Sequence, residues 1–123
     1  MPLIKSFRAT ALVSGLRLVA ASATDREVMT ATDPTDPILG VADSFDIETG
    51  DMVDVILSGP APVVSGGDID FGDPITAGPD GRAVKAVPVV GSVVRFAGFA
   101  LSDAAENDRF DMVVAPGILN TPA

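Results

Sequence analysis

Residues 52–57 read Met52-Val53-Asp54-Val55-Ile56-Leu57, with Ser58-Gly59-Pro60 directly behind them. Side chains of an extended chain alternate between two faces, so Val53, Val55 and Leu57 share one side and Met52, Asp54 and Ile56 the other. Phe110-Asp111-Met112-Val113-Val114 repeats the pattern, with Phe110, Met112 and Val114 turned inward. Outward from these two stretches the chain consists of short Val-rich runs broken by Gly, Pro and Asp, often at intervals near ten residues. That punctuation predicts an all-β sandwich or barrel. Residues 93–101 (VVRFAGFAL) carry Gly98 inside a strand pattern, which marks a bulge or a close backbone approach. Asp33-Pro34-Thr35-Asp36-Pro37 is a stiff connection, because each proline fixes its own φ and restricts the residue before it. Gly59-Pro60, Gly66-Gly67 and Asp80-Gly81 mark turns. The best helix signal is one turn at 102–107, capped by Ser102 around Ala104-Ala105-Glu106. The chain is therefore expected to be all-β, a single compact β-barrel or β-sandwich body.

An internal repeat sharpens that expectation. Arg26 and Val28 fall on Arg82 and Val84 at an offset of 56 residues. Ile38-Leu39-Gly40-Val41-Ala42 falls on Phe96-Ala97-Gly98-Phe99-Ala100 at 58, and residues 51–57 fall on 108–114 at 57. Two similar halves, about 16–59 and 72–117, then pair into one body with pseudo-twofold symmetry; the alternative is chance similarity among Val/Asp/Gly-rich strands. In this division residues 1–15 are an N-terminal arm or first strand, and 16–123 are the β domain. The expected core comprises Val28, Leu39, Val41, Val53, Val55, Leu57, Val84, Phe96, Phe99, Phe110, Met112 and Val114.

Composition narrows function. The 123 residues include 8 Lys+Arg against 17 Asp+Glu, a net charge of -9, and no Cys, His, Trp or Tyr. Such a body repels nucleic-acid phosphates, which excludes direct nucleic-acid binding. Without Cys there are no disulfides or thiolate sites, and without His the usual general base and commonest transition-metal ligand are missing. The charge is unevenly placed: Lys5, Arg8 and Arg17 all precede the first acidic residue, Asp25. A basic start on an acidic body favours docking against an acidic neighbour. The same segment mimics a signal peptide, with Ala21-Ser22-Ala23 at the cleavage position, but Arg17 interrupts its apolar region. No apolar run approaches the roughly 20 residues a membrane-spanning helix needs, so no membrane partner is read.

Three acidic groups stand in turns: Asp43, Asp46, Glu48 and Asp51; Asp103, Glu106, Asp108 and Asp111; and Asp68, Asp70 and Asp73. None has the twelve-residue calcium-loop spacing, and solvated turns that discourage edge pairing explain them better. Paired carboxylates without Trp or Tyr platforms make a poor glycosidase. Ser58 and Ser65 lie in turns, with Lys5 and Lys85 the only lysines to serve a Ser–Lys pair. No phosphate-binding loop and no cofactor site is read.

One order of phrases is distinctive. It runs Ile38-Leu39-Gly40-Val41-Ala42, Glu48-Thr49-Gly50-Asp51-Met52-Val53-Asp54-Val55, then Leu57-Ser58-Gly59. Gly72-Asp73-Pro74-Ile75-Thr76, Asp80-Gly81-Arg82-Ala83-Val84 and the closing Asp111-Met112-Val113-Val114-Ala115-Pro116-Gly117 follow. The series resembles the small capsid decoration (cement) proteins of tailed bacteriophages, over roughly residues 16–117. Asn107 departs from the pattern, standing where Gly50 stands in the first half. The resemblance implies a non-enzymatic virion protein on the outer surface of the capsid. It implies a homotrimer that holds major capsid protein subunits together against internal DNA pressure. A small-ligand-binding β-barrel, or a β-rich accessory subunit of a bacterial enzyme, is the alternative; an enzyme ranks behind both. The candidate capsid-binding residues are Leu3, Ile4, Lys5, Phe7 and Arg8. Leu3, Lys5 and Phe7 alternate with Ile4, Ser6 and Arg8, as in a strand that adds to a neighbour's sheet edge. The competing reading makes this segment the first strand of the protein's own sheet.

Overall fold

The computed structural model describes residues 3–23, 25–34, 36–43, 46–87 and 93–120. Apart from one short 3₁₀ turn, Pro79–Gly81, its regular structure is β. The strands are β1 (Leu3–Ala9), β2 (Leu18–Ala21), β3 (Glu27–Thr30), β4 (Ile38–Ala42), β5 (Met52–Val64), β6 (Pro74–Ala77), β7 (Ala83–Lys85), β8 (Val93–Ala100) and β9 (Arg109–Asn120). They form one sheet in the order β1-β3-β2-β4-β5-β9-β8-β6-β7, and β1 pairs again with β5. That second pairing closes β1, β3, β2, β4 and the first part of β5 into a five-stranded barrel. The second part of β5 runs on beside β9 and starts a matching unit, where a parallel bridge from Ser65 to Ala83 returns β7 toward β5.

The two units share their registers, which is the repeat in three dimensions. Leu18↔Val41 and Val19↔Gly40 in β2–β4 become Pro74↔Phe99 and Ile75↔Gly98 in β6–β8. Val41↔Ile56 and Ala42↔Val55 become Phe99↔Val113 and Ala100↔Met112. The isolated bridge Val13↔Ile47 recurs as Ile69↔Ala104. The equivalence also reaches β1, because Phe7↔Val53 and Arg8↔Met52 recur as Val63↔Phe110 and Val64↔Arg109. β1 is thus to the first unit what the second part of β5 is to the second.

Each unit has its own packing. Val13, Val19, Val28, Val53 and Val55 fill the closed barrel with Ala9 and Ala42, and Phe7, Leu39, Ile47 and Leu57 complete it. A larger cluster holds Val63, Ile69, Ile75, Phe110, Met112 and Val114 of the second unit. It also holds Leu18, Ile38, Val41 and Ile56, which lie outside the first barrel's core. β4 packs directly against β8 and β9, so the second unit covers the outer face of the first.

Most expected core positions are buried, while Leu39, Leu57, Val84 and Phe96 are half-buried. Phe99 is the exception, 40% exposed. The cause is the irregularity anticipated at Gly98, where φ is 157° and the β8–β9 register shifts between Phe96 and Gly98. The shift places Ala97 and Ala100 inside the core and leaves Phe96 and Phe99 together on the outside, their rings 5.4 Å apart. A Cβ at Gly98 would overlap the Val113 carbonyl oxygen, and one at Gly40 would overlap that of Ile56, so both halves need glycine at the same place.

The helical turn expected at 102–107 does not form. Ala104 spends both backbone groups on Ile69, across 2.9 and 2.8 Å, so neither is free for a helical bond. Asn107 takes φ 68° in the tight turn that follows, as Gly50 takes φ 89° in the first half. Asparagine tolerates that left-handed geometry, so the departure from glycine leaves the turn intact.

Candidate functional site

Leu3, Ile4 and Phe7 suit an extended chain, and the structure places them in β1, antiparallel to β5 from Leu3↔Ser58 to Arg8↔Met52. The segment is therefore a strand of the protein's own sheet, and the reading as a free arm gives way to this pairing. Burial sorts the five candidate residues. Phe7 turns inward and packs against the first barrel's core, so it anchors the strand. Leu3 and Ile4 are 58% and 49% exposed, and Lys5 and Arg8 are exposed with them. Ser6 Oγ donates a short hydrogen bond to Asp54 Oδ1, and Arg8 Nη1 donates to the Gly50 carbonyl at 3.1 Å. Both contacts tie β1 to the β5 side.

The other side of β1 is open. Its parallel pairing with β3 is confined to Arg8↔Glu27 and Ala9↔Val28. Among the described residues, residues 3–7 have a strand partner on β5 only. Between them and the β2–β3 turn lies a groove of about 550 Å³ lined by Lys5, Phe7, Arg8, Arg26, Glu27 and Met52, among others. Arg26 holds φ 63° in that turn and ion-pairs with Asp25 at 4.0 Å, both almost fully exposed and therefore weakly coupled. Lys5, Arg8 and Arg26 make this the place where the basic start of the chain meets an unpaired strand. The sequence reading missed Arg26 and Met52. Met52 could have been found, since it alternates with Val53 and must face outward; Arg26 reaches the groove only through a turn geometry that its residue type does not announce.

The acidic turns do different work. Asp46 Oδ1 accepts from the Gly15 amide at 2.8 Å, and its repeat equivalent Asp103 accepts from Phe71 at 2.7 Å. Asp73 and Asp108 accept from the amides of Asp70 and Ala105, three residues before each. Carboxylates spent on turn amides are local caps, and among the described residues no three acidic groups converge as a metal site would require. Ser65 is likewise committed: its buried hydroxyl donates to the Ala105 carbonyl and accepts from the Asp108 amide at 3.2 Å.

A family model of phage cement proteins matches residues 6–116, from within β1 to within β9. The chain belongs to the phage cement protein family. Membership places it with the capsid-associated structural proteins of bacteriophages. Among solved structures, the crystal structure of the head fiber gp8.5 N base in bacteriophage phi29 is similar to this cement-family chain. The identity is 28% and the TM-score 0.69, over 94% of this chain and 95% of that one. No curated protein matches the sequence significantly. The family match starts at Ser6, so Leu3, Ile4 and Lys5 lie outside it.

Proposed function

We propose that this protein binds the outer surface of a bacteriophage head, as a homotrimer, and holds neighbouring major capsid protein subunits together without catalysing a reaction. The observation that carries the reading is the family match, which spans nearly the whole double unit. The fold supports it physically. A closed barrel filled by its own side chains loses little conformational freedom on docking, so more of each contact's energy appears as affinity.

Docking is proposed to use β1. Its open edge in residues 3–7 can accept a strand from a capsid subunit, where main-chain hydrogen bonds supply affinity. Leu3 and Ile4 supply apolar contact, Lys5 and Arg8 draw in an acidic surface, and Phe7 fixes the strand from within.

Mass spectrometry of purified virions tests the reading. The chain is expected among the abundant structural proteins, and its absence there would end the proposal. Lys5→Glu combined with Arg8→Glu tests the docking residues. The variant should fold normally yet lose affinity for undecorated capsids, and the wild-type affinity should fall as salt rises. Unchanged binding in the double variant would move the docking site elsewhere.

A further inference from the structure

Hydrogen-bond direction along β1 fixes what the open side of that strand can hold. Backbone groups of an extended chain point alternately to its two neighbours. Ala9 turns both of its groups to the β5 side, its amide donating to the Asp51 carbonyl and its carbonyl accepting from the Gly50 amide. Arg8 and Thr10 turn the other way, their amides donating to the Arg26 and Val28 carbonyls on the β3 side. The alternation carries back along the strand. Lys5 and Phe7 face β5, opposite Val55 and Val53. Ile4 and Ser6 therefore aim amide and carbonyl at the side where residues 3–7 have no strand partner among the described residues. Donors and acceptors set out in strand order are complementary to another extended backbone.

The side chains around the edge select among such segments. Leu3 and Ile4, both exposed, stand at its start. Lys5, Arg8 and Arg26 gather toward its end, against Asp25 and Glu27 in the same groove. The groove is thus positive on a chain of net charge -9. Arg26 meets Asp25 only across 4.0 Å with both groups in water, so its guanidinium is free to turn to a better placed carboxylate. The same cations act against self-pairing. Two copies meeting β1 to β1 would bring like charges together, which guards an open edge against its own kind.

We propose that the β1 edge recognises an extended acidic protein segment, held by the amides and carbonyls of Ile4 and Ser6. The segment is apolar where it passes Leu3 and Ile4, and it carries a carboxylate where it reaches Arg8 and Arg26. The inference rests on the β1 docking proposed above, in which a capsid subunit supplies the segment. It adds the chemistry of that segment, its backbone register and Arg26 as a recognition residue.

A library of random linear peptides, selected on the immobilised full chain, tests this apart from any capsid. Enriched peptides should combine Asp or Glu with apolar residues, and their affinity should fall as salt rises. Ser6→Pro removes one edge amide and no bond to β5, and proline is tolerated on an open edge. It should stay folded by circular dichroism yet bind the selected peptides at least about tenfold more weakly. Ser6→Ala loses the same side-chain bond to Asp54 but keeps the amide, so it should bind at least about tenfold more tightly than Ser6→Pro. Arg26→Glu should weaken binding by a similar factor. No enrichment, enrichment of basic peptides, or unchanged binding by folded Ser6→Pro would each overturn the inference. If Ser6→Pro unfolds, Arg26→Glu decides, and unchanged binding there overturns it. Undecorated capsids separate this edge from the proposed function. A chain that selects acidic peptides through Ser6 and Arg26 yet never binds capsids would uphold the edge and remove the capsid role. Capsids bound equally by wild type and folded Ser6→Pro would overturn the inference and leave the capsid role in place.

Discussion

The two units make the same strand pairings with different side chains, and the substitutions compensate one another. In the first barrel Phe7 of β1 stands opposite Val53 of β5; in the second unit Val63 of β5 stands opposite Phe110 of β9. The aromatic ring has changed strands while the cross-strand pair keeps one Phe and one Val. Ala9 and Ser65 hold another shared position, one purely apolar and the other bonded to the 105–108 turn. Gly40 and Gly98 do not vary, because each lies against a facing carbonyl. Positions limited by backbone contact stay glycine, whereas positions limited by volume trade residues across the pair.

Breaking a backbone-limited position should have the largest effect. Gly98→Ala drives a Cβ into the Val113 carbonyl at a φ that side chains rarely adopt. It should cost at least about 4 kcal/mol, the range reached only by severe lesions. Gly40→Ala should behave alike if the units are equivalent. A denaturant midpoint for either variant close to wild type would show that the facing strands can separate without loss.

The volume-limited pair comes next. Phe110→Ala removes a buried ring and should cost about 3–5 kcal/mol. Phe7→Val alone leaves a space in the first barrel. The exchange Phe7→Val with Val53→Phe copies the arrangement of the second unit and should return to within about 1.5 kcal/mol of wild type. An exchange no better than the single variant would mean that the barrels tolerate only their own handedness of packing.

Ser65→Ala makes the second unit resemble the first at Ala9. It removes the partner of the Ala105 carbonyl and Asp108 amide, although those two groups also bond each other at 3.1 Å. The cost should therefore lie near the lower end of the roughly 1–3 kcal/mol expected for a buried group left without its partner. A neutral result by thermal melting would make the hydroxyl incidental to the turn.

The sequence was legible where one local rule decides the outcome. Alternation placed Val53, Val55, Phe110, Met112 and Val114 in the core, and Gly98 inside a strand pattern marked the close approach that the structure shows there and at Gly40. Phe99 was misread because the irregularity at Gly98, where the β8–β9 register shifts, carries it to the outer face beside Phe96. β1 was hard to place because its equivalent segment, Gly59-Pro60-Ala61-Pro62-Val63-Val64, shares no residue with Leu3-Ile4-Lys5-Ser6-Phe7-Arg8. Only the pairing pattern shows the two to be alike. Of the groove, Lys5 and Arg8 were visible as charges in an alternating strand, whereas Arg26 arrives through a positive-φ turn.

The smallest expected effect is at one of the turns where the units differ at a left-handed position, Leu16 and Gly72 marking another. Gly50 has φ 89° and open space where a Cβ would stand, and Asn107 holds φ 68° at the same place in the second unit. Gly50→Asn places an L-residue in the left-handed region, at a cost of about 1–2 kcal/mol for a general residue and less for Asn. It also removes unfolded-chain freedom, which returns roughly 0.4–1 kcal/mol. The two terms nearly cancel, so stability should stay within about 0.5 kcal/mol of wild type. Gly50→Val supplies the contrast. A β-branched residue disfavours this φ and makes no local side-chain hydrogen bond, so it should be clearly the worse of the two in denaturant titration. If Asn costs as much as Val, the turn around Gly50 is held by something its counterpart around Asn107 lacks, and the equivalence of the two units stops at their turns.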